Sequence, residues 1–172
     1  TQAVDVHTTP LASIPEFDQY KTVVVFMSNL DALGKRLIDL MNWVQDGGSV
    51  LFAMPPQKTT YFDVISPKLG VLSSSWENKL AESIVPTEEF MLGGGQRYEL
   101  SDPFESSLSI SLREEATIYA STGDEGVPLV WSTKSGAGRV VVDNIGIYDK
   151  VMRGVYAASY SLLCDATAYP VI

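Results

Sequence analysis

The sequence predicts an α/β domain whose central sheet is mainly parallel and carries an antiparallel C-terminal extension. Three observations lead there. The hydrophobic period changes from continuous to helical and back to continuous between residues 22 and 54; a glycine pair, Gly47-Gly48, punctuates that change; and three short β-rich runs joined by glycine-bearing loops follow between residues 116 and 143.

Taken in order, Ala3-Val4-Asp5-Val6-His7 alternates and predicts the end of a first strand. Val23-Val24-Val25-Phe26-Met27 is a continuous apolar run, as expected of a strand buried on both faces of a parallel sheet. After the polar loop residues Ser28, Asn29 and Asp31, the apolar residues Leu33, Leu37, Ile38, Leu40, Met41 and Val44 recur at helical spacing, with Lys35, Arg36, Asp39 and Gln45 largely opposite them. Gly47-Gly48 supplies the C-cap of that helix, and Ser49 to Met54 is a second apolar strand closed by Pro55-Pro56. Strand, helix and strand therefore form a parallel crossover.

The middle is less regular. Tyr61 to Ile65 followed by Lys68-Leu69-Gly70 predicts a short helix with a glycine stop, and Val71 to Trp76 an edge strand or loop. Glu82 to Ser107, rich in Pro, Gly, Glu and Ser, reads as a long excursion over one end of the sheet, held down by Phe90, Met91, Leu92, Tyr98 and Phe104. Gly93-Gly94-Gly95 lacks the lysine and Ser/Thr of a phosphate loop and reads as a turn. Ala116 to Ser121, Val127 to Trp131 and Arg139 to Asp143 then predict an antiparallel ribbon joined through Thr122 to Gly126 and Lys134 to Gly138. A closing helix is expected from about Met152 to Ala166, with Gly154, Ala157, Ala158 and Ser161 on a close-packed face.

Composition excludes several functions. The chain has 172 residues, 45% of them hydrophobic, which suits one domain spanning 1–172 with a sizeable core. A net charge of -9, with no Lys/Arg cluster, argues against nucleic acid. No apolar run is long enough for a membrane span, so no membrane insertion by this segment is expected, and no signal peptide is visible. A start at Thr1 rather than Met suggests a fragment of a longer protein. Cys164 is the one cysteine and His7 the one histidine, so there is no intrachain disulfide and no His/Cys metal cluster; no metal and no cofactor is expected. Asp102, Glu105, Glu114 and Glu115 form no pairing pattern and read as solvated surface.

The segment Trp43-Val44-Gln45-Asp46-Gly47-Gly48-Ser49-Val50-Leu51, within Thr22 to Ala53, resembles the helix, Gly-Gly, strand signature of class I glutamine amidotransferase-like domains, including the non-catalytic versions found in some bacterial glycosidases. Lys134-Ser135-Gly136-Ala137-Gly138-Arg139-Val140-Val141-Val142 resembles their late hairpin and strand. The tail Arg153 to Leu163 through Tyr169-Pro170-Val171-Ile172 is similar to an uncharacterised bacterial family in which such a domain directly precedes a polysaccharide-deacetylase-like domain. The resemblance implies a flavodoxin-like three-layer sandwich, a downstream deacetylase-like domain in the same chain, a glycan as a further partner, and an extracytoplasmic or cell-envelope location in a bacterium.

The chain departs from that family where chemistry is concerned. Active members place a cysteine at an elbow where this chain has Phe52-Ala53-Met54-Pro55-Pro56, and a His-x-Glu motif where it has Asp143-Asn144-Ile145-Gly146. A thiolate and a partner base are both missing, and no Gly-x-Ser-x-Gly elbow replaces them. The expectation is a non-catalytic module, not an enzyme, serving scaffolding, partner contact or glycan positioning. One alternative is a small-molecule or sugar-binding module using the crevice at the carboxyl ends of the parallel strands, with Asn29, Asp31, Gln57, Lys58, Asp143 and Asn144 on its rim. The other is a divergent metal-dependent hydrolase built on Asp143, Asp149 or Glu115.

Overall fold

The computed structural model describes residues 16–26, 34–53, 60–75, 79–90, 95–106 and 109–145. The predicted crossover is present. Strand β1 (Thr22–Phe26), helix α1 (Lys35–Gln45) and strand β2 (Ser49–Ala53) follow one another, and β1 and β2 pair in parallel as neighbours, from Thr22↔Ser49 to Phe26↔Ala53. Leu37, Leu40, Met41 and Val44 of α1 are fully buried, each stabilising the fold by about 1.5–3 kcal/mol through burial. Ile38, counted in the same apolar stripe, instead lies at its margin and is 42% exposed.

Helix α2 (Thr60–Ile65) runs into a 3-10 turn, Ser66–Leu69, ended by the left-handed Gly70 at φ 78. The chain continues through β3 (Val71–Ser75), β4 (Lys79–Pro86), β5 (Tyr98–Ser106), β6 (Ser109–Leu112), β7 (Thr117–Thr122), β8 (Pro128–Ser135) and β9 (Gly138–Asp143). The main sheet has the order β1-β2-β9-β8-β7-β4-β5, and β3 and β6 form a separate two-stranded sheet. The three C-terminal strands follow in the expected order, although β8 runs on to Ser135 and the second turn is only Gly136-Ala137, shorter than the expected Lys134 to Gly138.

Two expectations are corrected. The described fold is mixed α/β, but the sheet is not mainly parallel: β1-β2 and β2-β9 are parallel, whereas β9-β8, β8-β7, β7-β4 and β4-β5 are antiparallel. The stretch Glu82 to Ser107 is not an excursion over the sheet; most of it is β4 and β5, which form the far side of the sheet. Its strand character is masked because Pro86 ends β4, a bulge between Ala81 and Ser83 breaks the alternation, and β5 contains Pro103. A proline is tolerated there because β5 is an edge strand. The short strand β6 was not expected at all. The first strand at residues 3–7 and the closing helix at 152–166 lie outside the described residues.

One face of the sheet carries Val23, Val25, Val50, Phe52, Val140, Val142 and Trp131, covered by α1, by Phe62 and Ile65 of α2, and by Leu69. Trp131 is completely buried and its indole N–H donates to the Leu69 carbonyl at 2.8 Å, tying the middle of the sheet to the 3-10 turn. A second cluster, Ile84, Phe90, Leu100, Ala120, Leu129, Val130 and Ile145, holds β4, β5 and β7 to the end of β8. Leu51, Ala53 and Val141 form a third on the opposite face.

Candidate functional site

The three parallel strands finish in register. Phe26 stands beside Ala53, and Ala53 beside Asp143, so the chain leaves β1, β2 and β9 from one edge of the sheet, where open α/β sheets bind ligands. Of the rim residues expected there, Asn29, Asp31, Gln57 and Lys58 lie outside the described residues, as do Met54, His7, Cys164 and Asp149. Asp143 and Asn144 are described and are brought to this edge together.

Neither is a free surface group. Asp143 is 0% exposed and its Oδ1 accepts the Ile145 backbone N–H at 3.0 Å, an Asx turn that bends the chain off the strand. Asn144 is 2% exposed, and its backbone N–H donates to the Leu129 carbonyl at 2.8 Å, extending the β8-β9 ladder by one step. The Asn144 side-chain oxygen Oδ1 is buried with no hydrogen-bond partner among the described residues. A buried acceptor without a donor costs about 1–3 kcal/mol, so this is a position where a donor from a ligand or water would be welcome. Glu115, grouped with Asp143 in the hydrolase alternative, sits in the exposed turn before β7, at the opposite end of the strands from Asp143. The described residues contain no group of three His, Cys, Asp or Glu able to hold a metal ion.

The two segments that carried the family resemblance meet at a different place, below α1, and their role is structural. The helix ends in a Schellman motif: Gly48 N–H donates to Trp43 O at 3.1 Å and Gly47 N–H to Val44 O at 3.0 Å, with Gly47 at φ 123. The next carbonyl, Gln45 O, is capped by the β8-β9 turn, through Ala137 N–H at 2.9 Å, while Arg139 N–H donates to Gly48 O at 3.1 Å. Gly47 serves by its positive φ, with open space around it, whereas the other three glycines are needed for contact. A Cβ on Gly48 would enter the Trp43 ring, one on Gly136 would press on the Gln45 backbone, and one on Gly138 would overlap the Val44 and Gly48 carbonyl oxygens. The Gly-Gly and Ser-Gly-Ala-Gly signatures are thus the two halves of one backbone joint between α1 and the late hairpin.

Two polar clusters were not foreseen. Arg97 donates to Glu99 Oε1 at 2.7 Å, to the Gly123 carbonyl at 3.3 Å and pairs with Asp124 at 2.8 Å. Its hydrogen bond to Glu99, and then that to Asp124, push its pKa further above the usual range. It is an exposed strap between the start of β5 and the β7-β8 turn. The other cluster joins Tyr119, Ser132 and Arg139 across β7, β8 and β9. The alternation of β8 was a signal for the shared face of Ser132 and Lys134, but their partners depended on a register the sequence does not print.

The whole chain matches, over residues 1–113 and 101–172, a family described as "Uncharacterised protein conserved in bacteria (DUF2194)". No curated protein matches it. Among solved structures it is similar to the cytoplasmic protein STM1381 from Salmonella typhimurium LT2, with 13% identity, 94% of this chain and 81% of that chain covered, and a TM-score of 0.64. It is also similar to part of the exo-β-1,4-mannosidase Op5Man5 from Opitutaceae bacterium strain TAV5, with 20% identity, 87% of this chain and 26% of that chain covered, and a TM-score of 0.51. A β-galactosidase from Bacillus circulans sp. alkalophilus gives 14% identity, 86% and 23% coverage and a TM-score of 0.57. At these identities the likeness is one of fold. The chain spans about a quarter of the length of the two glycosidases.

Proposed function

The chain belongs to the bacterial DUF2194 family, and on that premise we propose that it is a non-catalytic, amidotransferase-like module of a larger, polysaccharide-associated envelope protein. Its work would be scaffolding, partner contact or glycan positioning, next to a deacetylase-like domain of the same chain. The observation that carries this reading is the joint beneath α1. Both signature segments are consumed in holding helix to hairpin, while the late strand that would present a catalytic base ends in Asp143, bonded to backbone, and Asn144. The sequence holds one cysteine, Cys164, and one histidine, His7, and neither stands at the elbow or the His-x-Glu position where active members of the resembled family keep their thiolate and base. Solved glycosidases that contain a similar fold as about a quarter of their length are in keeping with a modular role.

Titration calorimetry of this chain against the polypeptide encoded immediately downstream in the same gene tests the proposal. Saturable binding to a deacetylase-like domain is the expected result. A downstream sequence of another kind, or no contact with it, would remove the partner-contact reading.

A second reading, a sugar- or small-molecule-binding module at the strand ends, is favoured by the orphaned Asn144 Oδ1. Loss of glycan binding in Asn144→Ala, with the fold intact, would favour it over the first.

A further inference from the structure

We propose that the sheet face opposite α1 carries an oxyanion-binding site built from Arg139, Lys134, Tyr119 and Ser132, suited to a carboxylate or sulfate group. The proposal is independent of the module reading above. Register places Lys134 directly opposite Arg139 on adjacent antiparallel strands, so both side chains leave the same face. Like charges placed opposite each other repel, and a sheet under no other demand disfavours the pair. In a chain of net charge -9 with 21 acidic residues, neither cation has a carboxylate partner among the described residues. Glu114 and Glu115, in the turn before β7, are exposed and make no described ion pair with either.

Arg139 is held by hydroxyls instead. Its Nη2 lies 3.3 Å from Tyr119 Oη and 3.5 Å from Ser132 Oγ, and those two oxygens are 3.1 Å apart. One nitrogen is therefore loosely anchored while the rest of the five-donor fork has no described partner, and a guanidinium edge of that kind matches two oxygens of one anion. The anchor is firm. Ser132 is 6% exposed, and the Tyr119 ring packs against Phe90 at 5.4 Å between centroids. The backbone of Arg139 is fixed by its bond to Gly48 O, so the side chain starts from a rigid point. Lys134 is exposed and adds a mobile second charge.

The test is ¹H–¹⁵N NMR on the 172-residue chain, titrated with sodium sulfate or sodium glucuronate at constant ionic strength balanced by sodium chloride. The expected result is saturable shifts confined to β7, β8 and β9 and to the Arg139 side-chain Nε–H, with one of the two anions tighter, which separates a sulfate from a sugar-carboxylate source. Arg139→Gln should weaken binding at least about tenfold, the loss of a charge-assisted bidentate contact, and Lys134→Gln by a smaller factor. Linear shifts, shifts reproduced by chloride alone, or unchanged affinity in Arg139→Gln would overturn the proposal. If Arg139→Gln fails to fold, Lys134→Gln, which changes only an exposed charge, decides it: equal affinity to the parent chain overturns the site.

Discussion

Gly138→Ala adds a single methyl group, and the structure says where it goes. The new Cβ would overlap the carbonyl oxygens of Val44 and Gly48 and come within 2.9 Å of the Val44 carbonyl carbon. All three atoms are backbone, so no side-chain rotation can clear the space; the hairpin must move off α1. Overpacking of this kind costs about 1–3 kcal/mol. Moving the turn also strains or breaks the Ala137-Gln45 and Arg139-Gly48 hydrogen bonds, at about 0.5–1.5 kcal/mol each. The expected loss is about 2–6 kcal/mol, or roughly 4–24 °C in Tm for a domain of this size. Gly126→Ala is the matched control, because its φ of 66 strains any side chain but nothing lies within 4 Å, so only the backbone term of about 1–2 kcal/mol applies. Urea denaturation of both variants gives the comparison. If Gly138→Ala costs no more than Gly126→Ala, the joint does not hold the helix to the hairpin.

Three further outcomes are expected. Trp131→Phe should lose about 2–4 kcal/mol by urea titration, because it leaves the buried Leu69 carbonyl without its donor and opens a void beneath the 3-10 turn; a loss under about 1 kcal/mol would mean that the indole bond is dispensable. Asn144→Ala should change stability by no more than about 1 kcal/mol, since removing an unsatisfied acceptor relieves a desolvation cost, and a larger loss in thermal melting would show the carboxamide serving the fold. Gly123→Ala should destabilise, its Cβ meeting the buried Ser83 hydroxyl and lying 3.2 Å from Arg97 Cζ; an unchanged melting midpoint would show the β7-β8 turn free to shift.

The crossover and the C-terminal ribbon were legible because each reports its burial in a simple period. Val50 to Ala53 is continuous because β2 is an inner strand buried on both faces, Val23 and Val25 of β1 are buried with Val24 half-buried between them, and Leu37, Leu40, Met41 and Val44 repeat because one side of α1 is covered. The antiparallel majority was not legible, because two of its four pairings, β7-β4 and β4-β5, involve β4 and β5, whose Ser, Glu and Pro content hides a strand. At the strand ends, the chain order shows that Asp143 and Asn144 follow a strand but not that both are buried, one satisfied by Ile145 N–H and the other's Oδ1 left open. The meeting of Arg139 with Tyr119 and Ser132 depends on cross-strand register, to which three residues scattered over 21 positions give no local clue.

Glutamine hydrolysis tests the central claim most directly. With ammonia release followed by a coupled assay, the 172-residue chain should be indistinguishable from a no-protein control over any range of pH. Turnover above that control, whether it is abolished by Cys164→Ala or survives it, would contradict a module whose signature segments serve structure and not catalysis.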